Sequence, residues 1–184
     1  HSKGVLLLTG YLGAKYAREF PLTLSANIAM EQSYGHIDGD SASLAEVCAL
    51  ISAITDIPIK QSLAVTGSIN QHGQVQAIGG VNEKVEGYFR LCQSRGLTGD
   101  QGVIIPASNQ LNLVLNDDVT QAVKQHKFHL YVVKTVDEAL TLLTGVEAGE
   151  KSSRGQYPKK SVNGRALVRL AEIAEIVNGS MDED

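Results

Sequence analysis

Two short segments that read as strands, Leu63 to Ile69 and Gln74 to Ile78, are joined through Asn70 to Gly73 and followed at once by Gly79-Gly80. Turn-forming residues between two strand-like runs predict a β-hairpin. The diglycine ends the second run. From Val81 to Arg95 the period changes to that of a helix, and Gly96 closes it. A hairpin feeding a helix breaks the strict strand–helix alternation of a doubly wound parallel sheet. The expected fold class is therefore α+β, a mixed sheet with packed helices.

The remaining segments fit that frame. Val5 to Thr9 reads as a short buried strand and Leu12 to Phe20 as a helix stopped by Pro21. Leu22 to Met30 alternates as a half-buried strand, and Ser33 to Asp40 is a polar loop. Ser41 to Thr55 carries Leu44, Val47, Cys48 and Ile51 at helical spacing, with Asp38, Asp40 and Ser41 as capping oxygens. The Ser43/Glu46 pair has capping-box spacing and would move the start by two residues. Gly102 to Pro106 and Phe128 to Val133 read as strands, Val119 to His126 and Thr135 to Leu143 as helices, the latter stopped by Gly145. Residues 149–164 are rich in Lys, Ser and Gly and read as a linker or long loop. Arg165 to Val177 is a terminal helix before an acidic tail. The expected organisation is one domain over 1–148, a linker over 149–164, and a C-terminal helix and tail over 165–184.

Composition narrows the partners. A net charge of −4 argues against nucleic acid, which favours basic surfaces. The apolar runs fall far short of the roughly 20 residues of a membrane helix, and the N-terminus lacks the pattern of a signal peptide. Cys48 and Cys92 lie on apolar helical stripes, have no zinc spacing and read as core thiols. No Gly-Lys-Ser/Thr follows Gly10 to Gly13, so no phosphate loop is visible. No cofactor or metal is expected for this chain.

The chemistry rests on a lysine and a serine. On the Val81–Arg95 helix, Val81, Val85, Tyr88, Leu91 and Cys92 form one apolar arc, and Lys84 falls within its edge. Its stem can pack while its amine snorkels to water. Alternatively, burial favours the neutral amine, which can act as a general base. Ser41 sits in Asp38-Gly39-Asp40-Ser41-Ala42-Ser43, between a glycine-containing loop and a helix start whose N–H groups can hold an oxyanion. It reads either as a first-turn residue or as a nucleophile, with Ser43 as the competing hydroxyl. Thr66 is either an ordinary strand residue or a group that orients an amine. Asp38 either caps the helix or pairs with an ammonium. A triad from His36, Asp38 and Ser41 is disfavoured, because residues so close on one loop rarely converge.

Taken in order, these pieces resemble one family. Gly39-Asp40-Ser41-Ala42-Ser43 is similar to the nucleophile motif of B-type Lon proteases. Val65-Thr66-Gly67-Ser68-Ile69, then Gln74 to Lys84, resembles the segment leading to that family's catalytic lysine, and Gly10 to Tyr16 resembles an upstream helix start. The resemblance covers roughly residues 1–145. It implies a Ser–Lys dyad serine endopeptidase on the Lon peptidase fold, with Ser41 as nucleophile and Lys84 as base. It also implies Thr66 holding the lysine, Asp38 pairing with it at rest, and backbone N–H groups around Gly39, Asp40, Ser41 and Ala42 for the oxyanion. Its implied partners are unfolded polypeptide substrates and an upstream ATPase module of the same full-length chain, to which ATP and Mg would belong. A hexameric ring and a cytoplasmic setting follow likewise. The N-terminal strands of the domain are expected to precede His1. The alternative on the same fold is a catalytically silent binding or scaffold module.

Overall fold

The computed structural model describes residues 2–17, 22, 26–29 and 40–181. The chain begins with helix α1 (Ser2–Tyr16), where a strand over Val5 to Thr9 was expected. The apolar run continues at helical spacing through Leu8, Tyr11, Leu12 and Tyr16, all buried, and that longer period overrides the local strand signal. The expected strand Leu22 to Met30 is not found where it is described: residues 22 and 26–29 carry no regular structure, and the rest of the segment lies outside the described residues. His36, Asp38 and Gly39 also lie outside them, as does the tail beyond Met181.

Helix α2 (Ser43–Thr55) buries Leu44, Val47, Cys48, Ile51 and Ile54 along one stripe and ends at Asp56, whose φ is +57°. It starts two residues later than Ser41, as the Ser43/Glu46 spacing allows. No side chain caps it, so the expected capping by Asp40 and Ser41 is absent among the described residues. The run Leu63 to Ile69 divides at Thr66-Gly67. Its first part, β1 (Leu63–Val65), pairs in parallel with β4 (Gly102–Pro106). Its second part, β2 (Ser68–Ile69), pairs antiparallel with β3 (Val75–Gln76) to give the hairpin. The Asn70 side-chain oxygen accepts from the backbone N–H groups of His72 and Gln74, which ties the turn.

Helix α3 (Val81–Arg95) follows the hairpin. Beyond β4 come a single 3-10 segment (Ala107–Asn112), α4 (Asp117–Lys124), β5 (His129–Val133), α5 (Val136–Thr144) and α6 (Val162–Met181). Thr135 caps α5 through Glu138 N–H, and Gly145 ends it in the left-handed region. Strand β5 pairs in parallel with β4, giving the order β1-β4-β5. Parallel and antiparallel pairs with packed helices make the fold α+β.

Both faces of the parallel sheet are covered, and β4 is buried throughout. Ile104 points into a cluster built with α1, α2, α5 and α6. Its neighbours Val103 and Ile105 point the other way, to Val81, Val85, Phe89, Val119 and Phe128 on α3, α4 and the approach to β5. Period-2 alternation thus divides one continuous apolar run between two cores. Cys48 and Cys92 are buried, one in each. Residues 149–161 carry no helix or strand, and α6 begins at Val162 rather than Arg165. Its Val162, Ala166 and Leu170 join the first core.

A polar network runs through that core. Lys15 Nζ donates to Tyr11 Oη at 2.6 Å and pairs with Asp137. Asn163 Nδ2 donates to Asp137 and to the Gly149 carbonyl, and its Oδ1 accepts from Tyr16 Oη at 2.5 Å. Burial favours the neutral lysine amine and outweighs Asp137, so the Lys15 pKa is lowered. Burial raises the phenol of Tyr16 and the thiol of Cys48, the latter to about 12.

Candidate active site

Ser41 lies in the turn that leads into α2. Its carbonyl accepts from Gly67 N–H at 3.0 Å, and the Gly67 carbonyl accepts from Leu44 N–H at 3.1 Å. This reciprocal pair fixes the α2 entrance against the bend between β1 and β2. It requires close approach of two backbones, and residue 67 meets that need by having no side chain. A Cβ there would stand 2.9 Å from Leu44 Cδ2 and 3.1 Å from Val75 Cγ1. Sequence reasoning places Gly67 within a motif but misses this contact, whose local signal is a glycine directly after an apolar strand.

Lys84 sits one turn into α3. Its Nζ donates to Ser41 Oγ at 3.1 Å and reaches Thr66 Oγ1 at 3.5 Å. Ser41, Lys84 and Thr66 thus converge from three separate elements. Thr66 is itself buried, and its N–H donates to the Ile104 carbonyl at 3.0 Å. Of the two readings of Lys84, burial is not met: the residue is exposed. The buried face of α3 runs through Val81, Val85, Phe89 and Cys92, with Tyr88 half-buried at its flank and Leu91 exposed. Lys84 therefore flanks the core and lets its amine emerge over Ser41.

Ser43, the competing hydroxyl, points inward. It is buried, and its Oγ accepts from Ile69 N–H at 3.0 Å. It joins α2 to the hairpin and does not face the cavity. That cavity, of about 310 Å³, is lined by Ser41, Ala42, Ala45, Ala64, Val65, Thr66, Lys84 and Val103. Its small apolar walls leave the hydroxyl and amine as the reactive groups at its edge. A larger cavity of about 910 Å³ lies by Lys15, Asp137 and Tyr157 and contains none of these residues. His129 bonds the Gly99 carbonyl, and neither it nor His72 lines the Ser41 cavity. Among the described residues no group of three or more His, Cys, Asp or Glu side chains is arranged to hold a metal ion.

A lysine amine in hydrogen-bond contact with a serine hydroxyl, at the edge of a cavity, can accept that hydroxyl's proton and raise its nucleophilicity. The chain carrying this geometry belongs to the Lon protease family: residues 24–145 match the Lon protease (S16) C-terminal proteolytic domain. A Lon protease homolog of Haemophilus influenzae is 50% identical over 184 residues, covering 100% of this chain and 30% of that relative. A Lon protease homolog of Escherichia coli (strain K12) is 48% identical over 143 residues, covering 78% of this chain and 24% of the relative. The archaeal Lon protease of Methanocaldococcus jannaschii is 41% identical over 116 residues, covering 63% of this chain and 15% of the relative. The chain thus spans less than a third of the length of these relatives. No described helix is long and apolar enough to cross a membrane.

Proposed function

We propose that this chain is the peptidase part of an ATP-dependent serine endopeptidase, with a Ser41–Lys84 dyad that hydrolyses unfolded polypeptide. The observation that carries this reading is the 3.1 Å contact between Lys84 Nζ and Ser41 Oγ. Lys84 takes the proton of Ser41, and Ser41 Oγ attacks the peptide carbonyl. The tetrahedral oxyanion is met by N–H groups at the α2 entrance. Among the described residues nothing accepts from the N–H of Ser41 or Ala42. The protonated lysine then gives its proton to the departing amine, and water hydrolyses the acyl-enzyme through the same base. Thr66 Oγ1 limits the swing of the lysine. Asp38 is proposed to pair with the lysine at rest, and Gly39 to line the oxyanion site.

The same reading places an ATPase module, with its ATP and Mg, on the longer protein, together with ring assembly and a cytoplasmic setting. A folded substrate holds together by about 5–15 kcal/mol, which a hydrolytic cleft alone does not supply. A fluorophosphonate probe tests the dyad directly. Covalent labelling mapped to Ser41 by mass spectrometry, and lost in Ser41→Ala, is the expected result. A folded protein that remains unlabelled, or is labelled elsewhere, overturns the dyad and leaves a silent scaffold.

A further inference from the structure

Lys84 reaches Ser41 only if α3 is correctly rotated about its axis. At the roughly 5–6 Å radius of side-chain ends on a helix, a roll of about 10° displaces a tip by about 1 Å. The core contacts of α3 lie on one stripe, Val81, Val85, Phe89 and Cys92, and apolar contact is non-directional. Away from Lys84, Tyr88 Oη donates to the Ser62 carbonyl at 2.9 Å; around Lys84 itself, something more directional than apolar contact must set the roll.

The segment after β4 supplies it. Asn109 is 2% exposed. Its Oδ1 accepts from Ile78 N–H and its Nδ2 donates to the Ile78 carbonyl, both at 2.9 Å. Both backbone groups of one residue are thereby held just ahead of Gly79-Gly80, the most pliable point of the approach to α3. Gly80 then takes φ +71° and its carbonyl accepts from Lys84 N–H at 3.1 Å. Further along, Asn82 Nδ2 donates to the Asn112 carbonyl and Asn82 Oδ1 accepts from Val114 N–H. One turn later Glu86 Oε1 accepts from Asn116 N–H at 3.1 Å. Contacts at residues 78, 82 and 86 bracket Lys84, all to residues 109–116.

We propose that residues 107–116 form a strap that sets the rotation of α3, and that Asn109 is the positioning residue holding Lys84 toward Ser41. The inference rests on the dyad reading for its catalytic consequence, but the strap itself is measurable without activity. Two readouts on the protein that carries this chain separate them: amide hydrogen exchange, and the rate of fluorophosphonate labelling of Ser41 at a temperature where every variant is folded.

In Asn109→Ala, exchange at residues 78–84 should speed up by about tenfold or more through local opening, while β5 keeps its protection. Labelling should slow by about 10- to 100-fold, the scale of a 1 Å misplacement. Asn82→Ala, at a half-buried site, should move both readouts the same way and decides the matter if Asn109→Ala does not fold. Asn163→Ala removes an equally buried amide elsewhere and should lower thermal stability while leaving the labelling rate unchanged. Wild-type exchange at residues 78–84 in both strap variants overturns the strap. Wild-type labelling rates alongside faster exchange overturn its positioning role. Labelling lost equally in Asn163→Ala reduces the effect to general destabilisation and also overturns it. Failure of the wild-type protein to label refutes the dyad, and the exchange result then decides for or against the strap alone.

Discussion

Two serines two residues apart give a sharp test, because the structure places one at the cavity and one in the core. Ser43→Ala removes the acceptor of Ile69 N–H, a 3.0 Å bond to a fully buried residue. Leaving a buried donor unmet costs about 1–3 kcal/mol. Alanine at the start of α2 returns about 0.5 kcal/mol of helix propensity, so a net loss of about 0.5–2.5 kcal/mol remains. For a chain of this size about 2–4 °C is lost per kcal/mol, and the midpoint should fall by about 1–10 °C. Ser41→Ala removes only a contact to an exposed amine, and its stability should stay within about 0.5 kcal/mol of wild type. Circular dichroism melts and fluorophosphonate labelling of both variants form the assay. Ser43→Ala should melt early and still label when folded, whereas Ser41→Ala should melt normally and not label. A Ser43→Ala protein with the wild-type midpoint, or one that loses labelling while Ser41→Ala keeps it, would refute the assignment of the two hydroxyls.

Three further outcomes are expected. Lys84→Arg keeps charge and reach, but a guanidinium stays protonated and cannot accept a proton, so Ser41 labelling should fall to background; substantial labelling would show that position 84 supplies charge alone. Burial raises the Cys48 thiol from its ordinary 9.0 to about 12, so its stabilising contribution is complete below pH 9 and is lost as pH climbs through about 12. Tyr11 and Tyr16 act with the same sign and the lowered Lys15 with the opposite sign. Urea unfolding between pH 8 and 11 should therefore show stability falling by up to about 1.4 kcal/mol per pH unit from the thiol, with a shallower fall in Cys48→Ala; equal slopes would contradict this. Phe128 is fully buried and packs edge-on against Phe89 at 5.1 Å, so Phe128→Ala should cost about 3–5 kcal/mol, and a cost below about 1 kcal/mol would mean that the second core is not packed as described.

How much of the fold and site is legible in the sequence follows from the kind of contact involved. Helix α3 and strand β4 fall where periodicity places them, because apolar spacing is a local signal and Gly96 and Pro106 mark their ends. The same locality misleads at Val5 to Thr9, where a few apolar residues resemble a strand and the helical period emerges only over the full length of α1. It also misassigns the inner face of α3. Spacings of three and four both suit a helix, and Phe89 rather than Leu91 completes the buried stripe, with the half-buried Tyr88 beside it against Phe128. That shift turns Lys84 out of the core and over Ser41. In the sequence, only the order of several motifs links residues 41 and 84, since a separation of 43 residues has no geometry of its own. Asn109 carries no signal at all: it is one asparagine beyond a proline, with its partner Ile78 31 residues away. Apolar pattern specifies the frame because burial depends on which residues are apolar and not on their orientation. The hydrogen bonds that aim Lys84 depend on orientation within narrow limits, and they join segments that only the folded chain brings together. The aim of the amine is therefore the property least readable from sequence and the most exposed to a single substitution.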